Sequence, residues 1–331
     1  MQRRNFTLTT TTAAAALLIA GALAPCAGFA ADKFPSQPIR LIVPYAPGGA
    51  SDALARRLAV GADKSLGQPL VVDNRAGGAT VAGTNAVATA LPNGYTLGVV
   101  DSAFLINPAL LGDKLPYDTE KAFRAVILIA TAPVVLAVNS TVPVHSVAEL
   151  VALARQKPGE LNFSSAGNGS ALHLAGEEFK LATGTRIVHV PYKGGGPSIM
   201  AVVAGETQMT FSAPSTILPH IQSGKLRALA VTGPRRIASL PGVPTFDELK
   251  LSSVDAVISF GVIAPRAVPD ADIATLSAAF DSQLKVEQTR HGISELGFDV
   301  AGGPPDVYAK LITREIARWK TVVQRANVHV D

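Results

Sequence analysis

The sequence predicts an α/β protein of two lobes, each a mainly parallel sheet flanked by helices, joined by two crossing strands. Three observations carry this. Short apolar β-branched runs alternate with helical spacing, once from Ile39 to Val100 and again from Ser146 to Val231, the rhythm of parallel sheets covered by helices. Two apolar runs, Val126–Val138 and Val257–Ala264, stand between these series and suit strands that leave one sheet for another. Two turns nearly repeat each other: Val43-Pro44-Tyr45-Ala46-Pro47-Gly48-Gly49-Ala50-Ser51-Asp52 and Val190-Pro191-Tyr192-Lys193-Gly194-Gly195-Gly196-Pro197-Ser198.

Taken in order, Ile39–Val43 reads as the first strand. A helix follows the Gly48-Gly49 turn, with Leu54 and Leu58 at helical spacing and Ser51 or Asp52 as its N-cap. Leu70–Val72 is the second strand, Val81–Ala90 a helix stopped by Pro92-Asn93-Gly94, and Tyr95–Val100 the third strand, ending at Asp101-Ser102. Pro133 interrupts the run from Val126 to Val138. Ser146–Gln156 is a helix whose Ser146 and Glu149 form a capping box. Leu161–Phe163 is a strand, Ala171–Ala182 a helix, Ile187–Val190 a strand and Ile199–Val203 a helix with Pro197 in its first turn. Met209–Phe211 (strand), Leu218–Gln222 (helix) and Arg227–Val231 (strand) complete the second series. Helices over Asp270–Lys285 and Pro304–Ala326 finish the chain, the last placing Ile312, Ile316, Trp319 and Val323 on one face. The expected division is 1–30 as leader, 31–132 with 256–331 as a discontinuous first domain, and 133–255 as the second.

At 331 residues the chain is long enough for two such domains. Charged residues make up only 16%, and the basic ones are scattered, with Arg56-Arg57 and Arg235-Arg236 the adjacent pairs after the leader. Without Arg3 and Arg4 the balance is 27 − 25 = +2, a solvated surface and not a nucleic-acid patch. The first 30 residues carry export signals: basic Arg3-Arg4, an apolar stretch Ala13–Ala24, and Gly28-Phe29-Ala30 before Ala31 as a cleavage site. The stretch spans about 12 residues, against about 20 for a membrane helix. Arg3-Arg4-Asn5-Phe6-Thr7-Leu8 resembles a twin-arginine signal. The sole cysteine, Cys26, lies in this leader, so the mature chain is expected to carry no disulfide and no thiolate chemistry. A periplasmic protein is expected.

The two near-repeated turns, with Asn74–Gly78 and Ser164–Ser170, put four Gly/Ser-rich loops at the carboxyl ends of strands, where sheets of this kind hold ligands. Strand, Gly-rich turn and helix start aim backbone N–H groups and a positive dipole end at one point, which suits an anion. A carboxylate fits better than phosphate, because no Arg or Lys cluster accompanies the loops; Lys193 stands alone. Enzyme signatures are missing. Gly167-Asn168-Gly169-Ser170 is not a nucleophile elbow, and no Walker or dinucleotide loop occurs. His173 and Glu177 lie four apart on one helix without a metal-protease pattern, and His189 reads as packed or capping. No catalytic residue, metal or cofactor is expected.

The sequence resembles the substrate-binding proteins of tripartite tricarboxylate transporters, the Bug-type (TctC-like) periplasmic receptors. The resemblance rests on Pro38–Pro44 running into Pro47-Gly48-Gly49 and Asp52, on Asn74-Arg75, Pro92–Leu97, Asn107-Pro108 and Leu115–Asp118, and on Gly167–Ser170 with His173-Leu174. It continues through Val190–Gly194 with Pro197, Leu218–Ile221 and Gly224–Ala230. It implies a type II periplasmic-binding-protein (Venus-flytrap) fold closing on a small carboxylate held largely by backbone amides and ordered waters. Carried onto this sequence, the ligand residues are Tyr45, Gly48, Gly49, Ala50, Ser51 and Asp52 of one turn and Tyr192, Lys193, Gly194 and Gly195 of the other. Ser102, Ser165, Ala166, Gly167, Gly169, Ser170 and Ser212 contribute. Departures bear on the ligand: Arg75–Thr80 replaces an Arg-Pro-Gly-Ala-Gly-Gly loop, Ala201 an acidic residue, Ser212-Ala213 an Asp-Asn pair, and Ser259 an aromatic. Such a cleft is poorly equipped for an ammonium group, so a carboxylate that is not an amino acid is expected. The expected partners are the membrane components of a tripartite transporter or a sensor protein, the chain acting as a monomer. A receptor feeding only a sensor, and a periplasmic hydrolase, are the alternatives.

Overall fold

The structure is a computed structural model and describes residues 34–78, 80–192 and 194–329. The expected leader lies outside the described residues, as does Lys193.

The first series is β1 (Ile39–Val43), α1 (Ala50–Leu66), β2 (Leu70–Asn74), α2 (Val81–Ala88), β3 (Thr96–Asp101) and α3 (Ser102–Leu111), followed by a 3₁₀ turn at Gly112–Lys114. Four of the five β1 residues are buried, and α1 buries Leu54, Ala55, Leu58, Ala59 and Ala62, one stripe at helical spacing. It ends at Gly67, whose left-handed backbone (φ 67°) lets its N–H reach Asp63 O. Next come β4 (Phe123–Pro133), β5 (Val135–Asn139), α4 (Val147–Gln156), β6 (Asn162–Ser165), α5 (Ala171–Thr183), β7 (Val188–Pro191), α6 (Gly195–Ala204), β8 (Met209–Ser212), α7 (Pro214–Gln222) and β9 (Leu226–Val231). The chain closes with β10 (Val257–Pro265), α8 (Asp270–Leu284), α9 (Glu287–Glu295), β11 (Asp299–Val300) and α10 (Pro305–Ala326). Ser146 caps α4 as expected, its Oγ accepting from Glu149 N, but the reciprocal bond shifts by one residue: Glu149 accepts from His145 N at 2.6 Å and not from Ser146 N.

The α/β fold of two lobes is confirmed, but its sheets are mixed, not mainly parallel. The first sheet has the order β11-β4-β10-β3-β1-β2 and the second β7-β6-β8-β5-β9. Parallel pairing is confined to β1 with β2 and β3, and to β6 with β7 and β8. The crossing strands cause the mixture. β10 returns from the second lobe and must run against β3 and β4, while β5, arriving from the first lobe, runs against β8 and β9. The stretch after β3 also differs from expectation: α3 starts at Ser102 because Asp101 caps it, its carboxylate accepting from Ala103 N. Helix α9 has mean hydropathy too polar, and β11 too few residues, to stand out in sequence.

Strand register fixes which ends of the sheets face each other. Phe260 of β10 pairs with Asp101 of β3, and Val257 pairs with Pro133 of β4, so Asp101, Pro133 and Val257 share one end of the first sheet. The chain crosses between lobes at that end. In the second sheet Val135 pairs with Ser212, which places the carboxyl ends of β8, β6 and β7 on the same side. Thr232 ties the two crossings together: its buried hydroxyl accepts from Val134 N and donates to Ala256 O, both at 2.7 Å. Beside the crossings one apolar cluster runs from Phe104, Tyr308 and Trp319 in the first lobe into Leu174, Phe179 and Phe211 in the second. Among the described residues, no helix is long and apolar enough to cross a membrane.

Candidate ligand-binding site

Residues expected to bind ligand gather into two groups, one on each lobe, at the ends of the sheets that face each other. The first group hangs from β1. Asp52 organises it: its carboxylate accepts from Gly48 N (3.0 Å), Arg56 Nε (3.0 Å) and Asn74 Nδ2 (3.0 Å), and Asn74 also donates to Tyr45 O (3.1 Å). The Arg56 guanidinium, then the Gly48 and Asn74 donors, pull the Asp52 carboxyl down to about 2, against its burial. Asp52 therefore builds the turn from inside, and its carboxylate has no capacity left for a ligand. Nor is it the N-cap of α1, and neither is Ser51; Gly49 is, without a side-chain bond. The physical reason is that Asp52 sits one turn into the helix, from where it reaches back to Gly48 N.

Capping by glycine leaves the helix start open. The N–H groups of Ala50 and Ser51 have no acceptor among the described residues. Tyr45 lies beside them, its hydroxyl donating to Asp101 Oδ2 at 2.7 Å. Burial pushes the Tyr45 phenol up, and the adjacent Asp101 adds to that; burial also raises Asp101, against the Tyr45 hydrogen bond. Ser102 points elsewhere: its buried hydroxyl donates to Val257 O (3.3 Å) and accepts from Ser259 N (3.0 Å), pinning α3 to the return strand.

The second group hangs from β6 and β7. Tyr192 N donates to Ser165 O (3.0 Å) and Gly194 N to Ala166 O (3.1 Å), so the Tyr192 turn and the Ser165–Ser170 loop are sewn edge to edge. The φ of Gly167, 128°, strains any other residue, and a Cβ there would also lie a tight 3.2 Å from Tyr192 O. Gly194, at φ 108°, is the N-cap of α6 and again supplies no side chain; the N–H groups of Gly195 and Gly196 have no acceptor among the described residues. The Tyr192 hydroxyl turns outward to Glu206 (3.2 Å). Ser170 caps α5 by accepting from His173 N and donates to Gly167 O. Ser212 is buried at the end of β8.

Sequence reasoning did not foresee the inner layer: Asn74, Arg56 and Asp101 in the first lobe, and two histidines in the second. Asn74 and Asp101 close their strands, and Asn74 also belongs to a motif of the family resemblance, but neither signal named their partners. His173 and His189 stack with ring centres 3.7 Å apart and planes 12° apart, and His189 also packs on Phe163, as its packed reading expected. Glu177 lies 3.6 Å from His173 Nε2 and is held by Lys180 at 2.7 and 2.8 Å.

The chain matches the family model described as "Tripartite tricarboxylate transporter family receptor" over residues 54–328. It is similar to Protein BugT of Bordetella pertussis, 35% identical over 321 residues, which cover 97% of this chain and 98% of BugT. Among solved structures it is similar to an R. palustris protein with adipate, at 32% identity and a TM-score of 0.77, covering 89% of this chain and 99% of that one. It is likewise similar to MatC from Rhodopseudomonas palustris with bound malate, at 30% identity and a TM-score of 0.75, covering 88% of this chain and 100% of that one. A match over most of the chain in sequence and in fold, with the facing turns intact, means that the chain belongs to the tripartite tricarboxylate transporter receptor family.

Proposed function

We propose that this chain is a periplasmic receptor, not an enzyme, that binds a small carboxylate other than an amino acid between its lobes and delivers it to a tripartite tricarboxylate-type transporter. The observation that carries the reading is the pair of helix starts, α1 and α6, capped by glycine with free N–H groups and set on facing ends of the two sheets. Hydrogen bonds to a charged group are worth about 1.5–3 kcal/mol each, and a micromolar complex needs about 8 kcal/mol after the costs of association. Four amides and two dipole ends therefore suffice. Adipate and malate in the two similar structures support the class of ligand. Against an ammonium group stands the commitment of both acidic side chains at the first turn, Asp52 to Arg56 and Asn74, Asp101 to Tyr45 and Ala103.

One contact favours the hydrolase reading: Ser165 Oγ lies 2.6 Å from His189 Nε2. Ser165 is fully buried, however, and its hydroxyl also takes Gly167 N, so no substrate carbonyl can reach it. The division at 132/133 and 255/256 is supported by the crossings through Val134 and Ala256, and the domains are proposed to rotate about them as a monomer. Export through a cleaved leader at 1–30 belongs to the same proposal. A thermal-shift screen of mono-, di- and tricarboxylates, adipate and malate included, tests the reading, since binding to the folded state raises the melting temperature. Stabilisation by aspartate or glutamate, with none by simple carboxylates, would overturn it.

A further inference from the structure

We propose that His173 and His189 are positioning residues for the ligand site: two stacked imidazoles that set the direction of the backbone N–H groups in the Ser165–Ser170 loop. The inference rests on the reading that this loop belongs to the carboxylate site. Gly169 N donates to His173 Nδ1 at 3.1 Å, a buried bond. Only an unprotonated Nδ1 can accept it, so the ring carries its hydrogen on Nε2, facing Glu177 Oε1 at 3.6 Å. At the other end of the loop, Ser165 Oγ accepts from Gly167 N (3.1 Å) and meets His189 Nε2 at 2.6 Å. The Ser165 hydroxyl also lies 3.2 Å from Gly167 O, so His189 Nε2 holds the serine that in turn grips both the N–H and the carbonyl of Gly167.

The loop needs such outside acceptors. Gly167 and Gly169 have φ of 128° and 74°, regions where glycine has freedom and no preference of its own. The two stacked rings fix both glycine amides from one buried platform, His173 directly through Nδ1 and His189 through Nε2 and the Ser165 hydroxyl. Burial pulls the His189 imidazole down to about 3, with His173 and Lys180 pulling the same way against Glu177, so His189 stays neutral near pH 7. The other elements around the rings bring no competing charge. Helix α3 and strand β8 carry no charged side chain, and Arg318 of α10 is engaged with Glu178.

The proposal makes a crossed prediction. An Asn side chain places its amide oxygen near the Nδ1 position, and a Gln side chain near the Nε2 position. His173→Ala is expected to weaken adipate or malate binding about tenfold, the loss of one hydrogen bond to the site. His173→Asn should restore affinity and His173→Gln should not. At position 189 the order reverses: His189→Gln restores and His189→Asn does not. Calorimetric titration with adipate and malate reads this, with melting temperatures confirming that each variant is folded. In ¹⁵N spectra of the ligand-free protein, the Gly169 amide should keep its hydrogen-bonded shift in His173→Asn and lose it in His173→Gln. Equal behaviour of Asn and Gln at each position would mean that the rings only fill space, and would overturn the inference. If the wild-type protein binds neither these nor any other carboxylate, the receptor reading fails, and the Gly169 amide alone decides whether the rings position the loop.

Discussion

Asp52 shows how much a single side chain can do without touching a ligand. Its carboxyl titrates near 2 in the fold against about 3.8 unfolded, so its contribution is fully present above pH 4 and is lost as pH falls through 2. His189 acts in the same direction over a higher range. It titrates near 3 folded and 6.5 unfolded, so the unfolded chain takes up the proton first and stability falls from about pH 6.5 downward. Urea unfolding between pH 7 and 2 should show both legs. His189→Gln should flatten the upper leg and Asp52→Asn the lower. Asp52→Asn should also cost about 1–3 kcal/mol at neutral pH, since Arg56 and Gly48 lose a charged acceptor. The glycines are separable too. Gly48 has φ of 91° with open space around its Cβ position, so Gly48→Val strains the backbone by about 1–3 kcal/mol without a clash and should abolish carboxylate binding. Gly49 has no such φ and the same open space, so Gly49→Ala should leave the fold intact. Circular dichroism and thermal-shift titration of the pair check both statements.

Among elements, the crossings decide what the lobes can do. Among the described residues Thr232 is the one side chain bonded to both, through Val134 N and Ala256 O, and it is fully buried. Thr232→Val keeps the shape and removes both bonds, leaving a buried N–H and a buried carbonyl unpaired. The expected cost is about 1–3 kcal/mol per unpaired group, read as a lowered denaturant midpoint. The helix starts illustrate a different economy. Helices α4 and α5 are capped by their own serines, Ser146 and Ser170; the first cap was legible from its capping-box spacing, the second was not read as one. α1 and α6, capped by glycine, keep donors free, and it is these two that face across the lobes.

At the scale of the molecule, the lobes also meet away from the turns. Glu178 of α5 is gripped by Arg318 of α10 at 2.6 Å, with Glu315 on the same guanidinium at 2.8 Å. Burial pushes the Glu178 carboxyl up to about 7 against the pull of Arg318; burial also weighs against the charged Arg318, but Glu178 and Glu315 outweigh it and raise the guanidinium. Glu178→Ala leaves Arg318 with Glu315 alone and should cost about 1–3 kcal/mol, the loss of a charged hydrogen bond, measurable by chemical denaturation. If the lobes rotate about Val134 and Ala256, small-angle scattering should show compaction on saturation with a binding carboxylate. An unchanged radius of gyration at saturation would argue for a fixed cleft.

What the sequence determined by itself is the class of fold, the order of most elements and the two turns, because these depend on local periodicity and on glycine and proline at short range. Pro133 marked the crossing, and Gly48 and Gly194 marked the turns, without any knowledge of their neighbours. The tertiary structure decided the rest. Strand direction changed where β10 came back between β3 and β4, a pairing of residues more than a hundred positions apart. Asp52 is tied into the first turn because Asn74 lies on another strand, and Ser102 clasps Val257 and Ser259. His173 and His189 became a stacked pair only when α5 packed against β7. A side chain's role depends on which hydrogen-bond partners it meets, and those partners come from distant parts of the chain that only packing brings together.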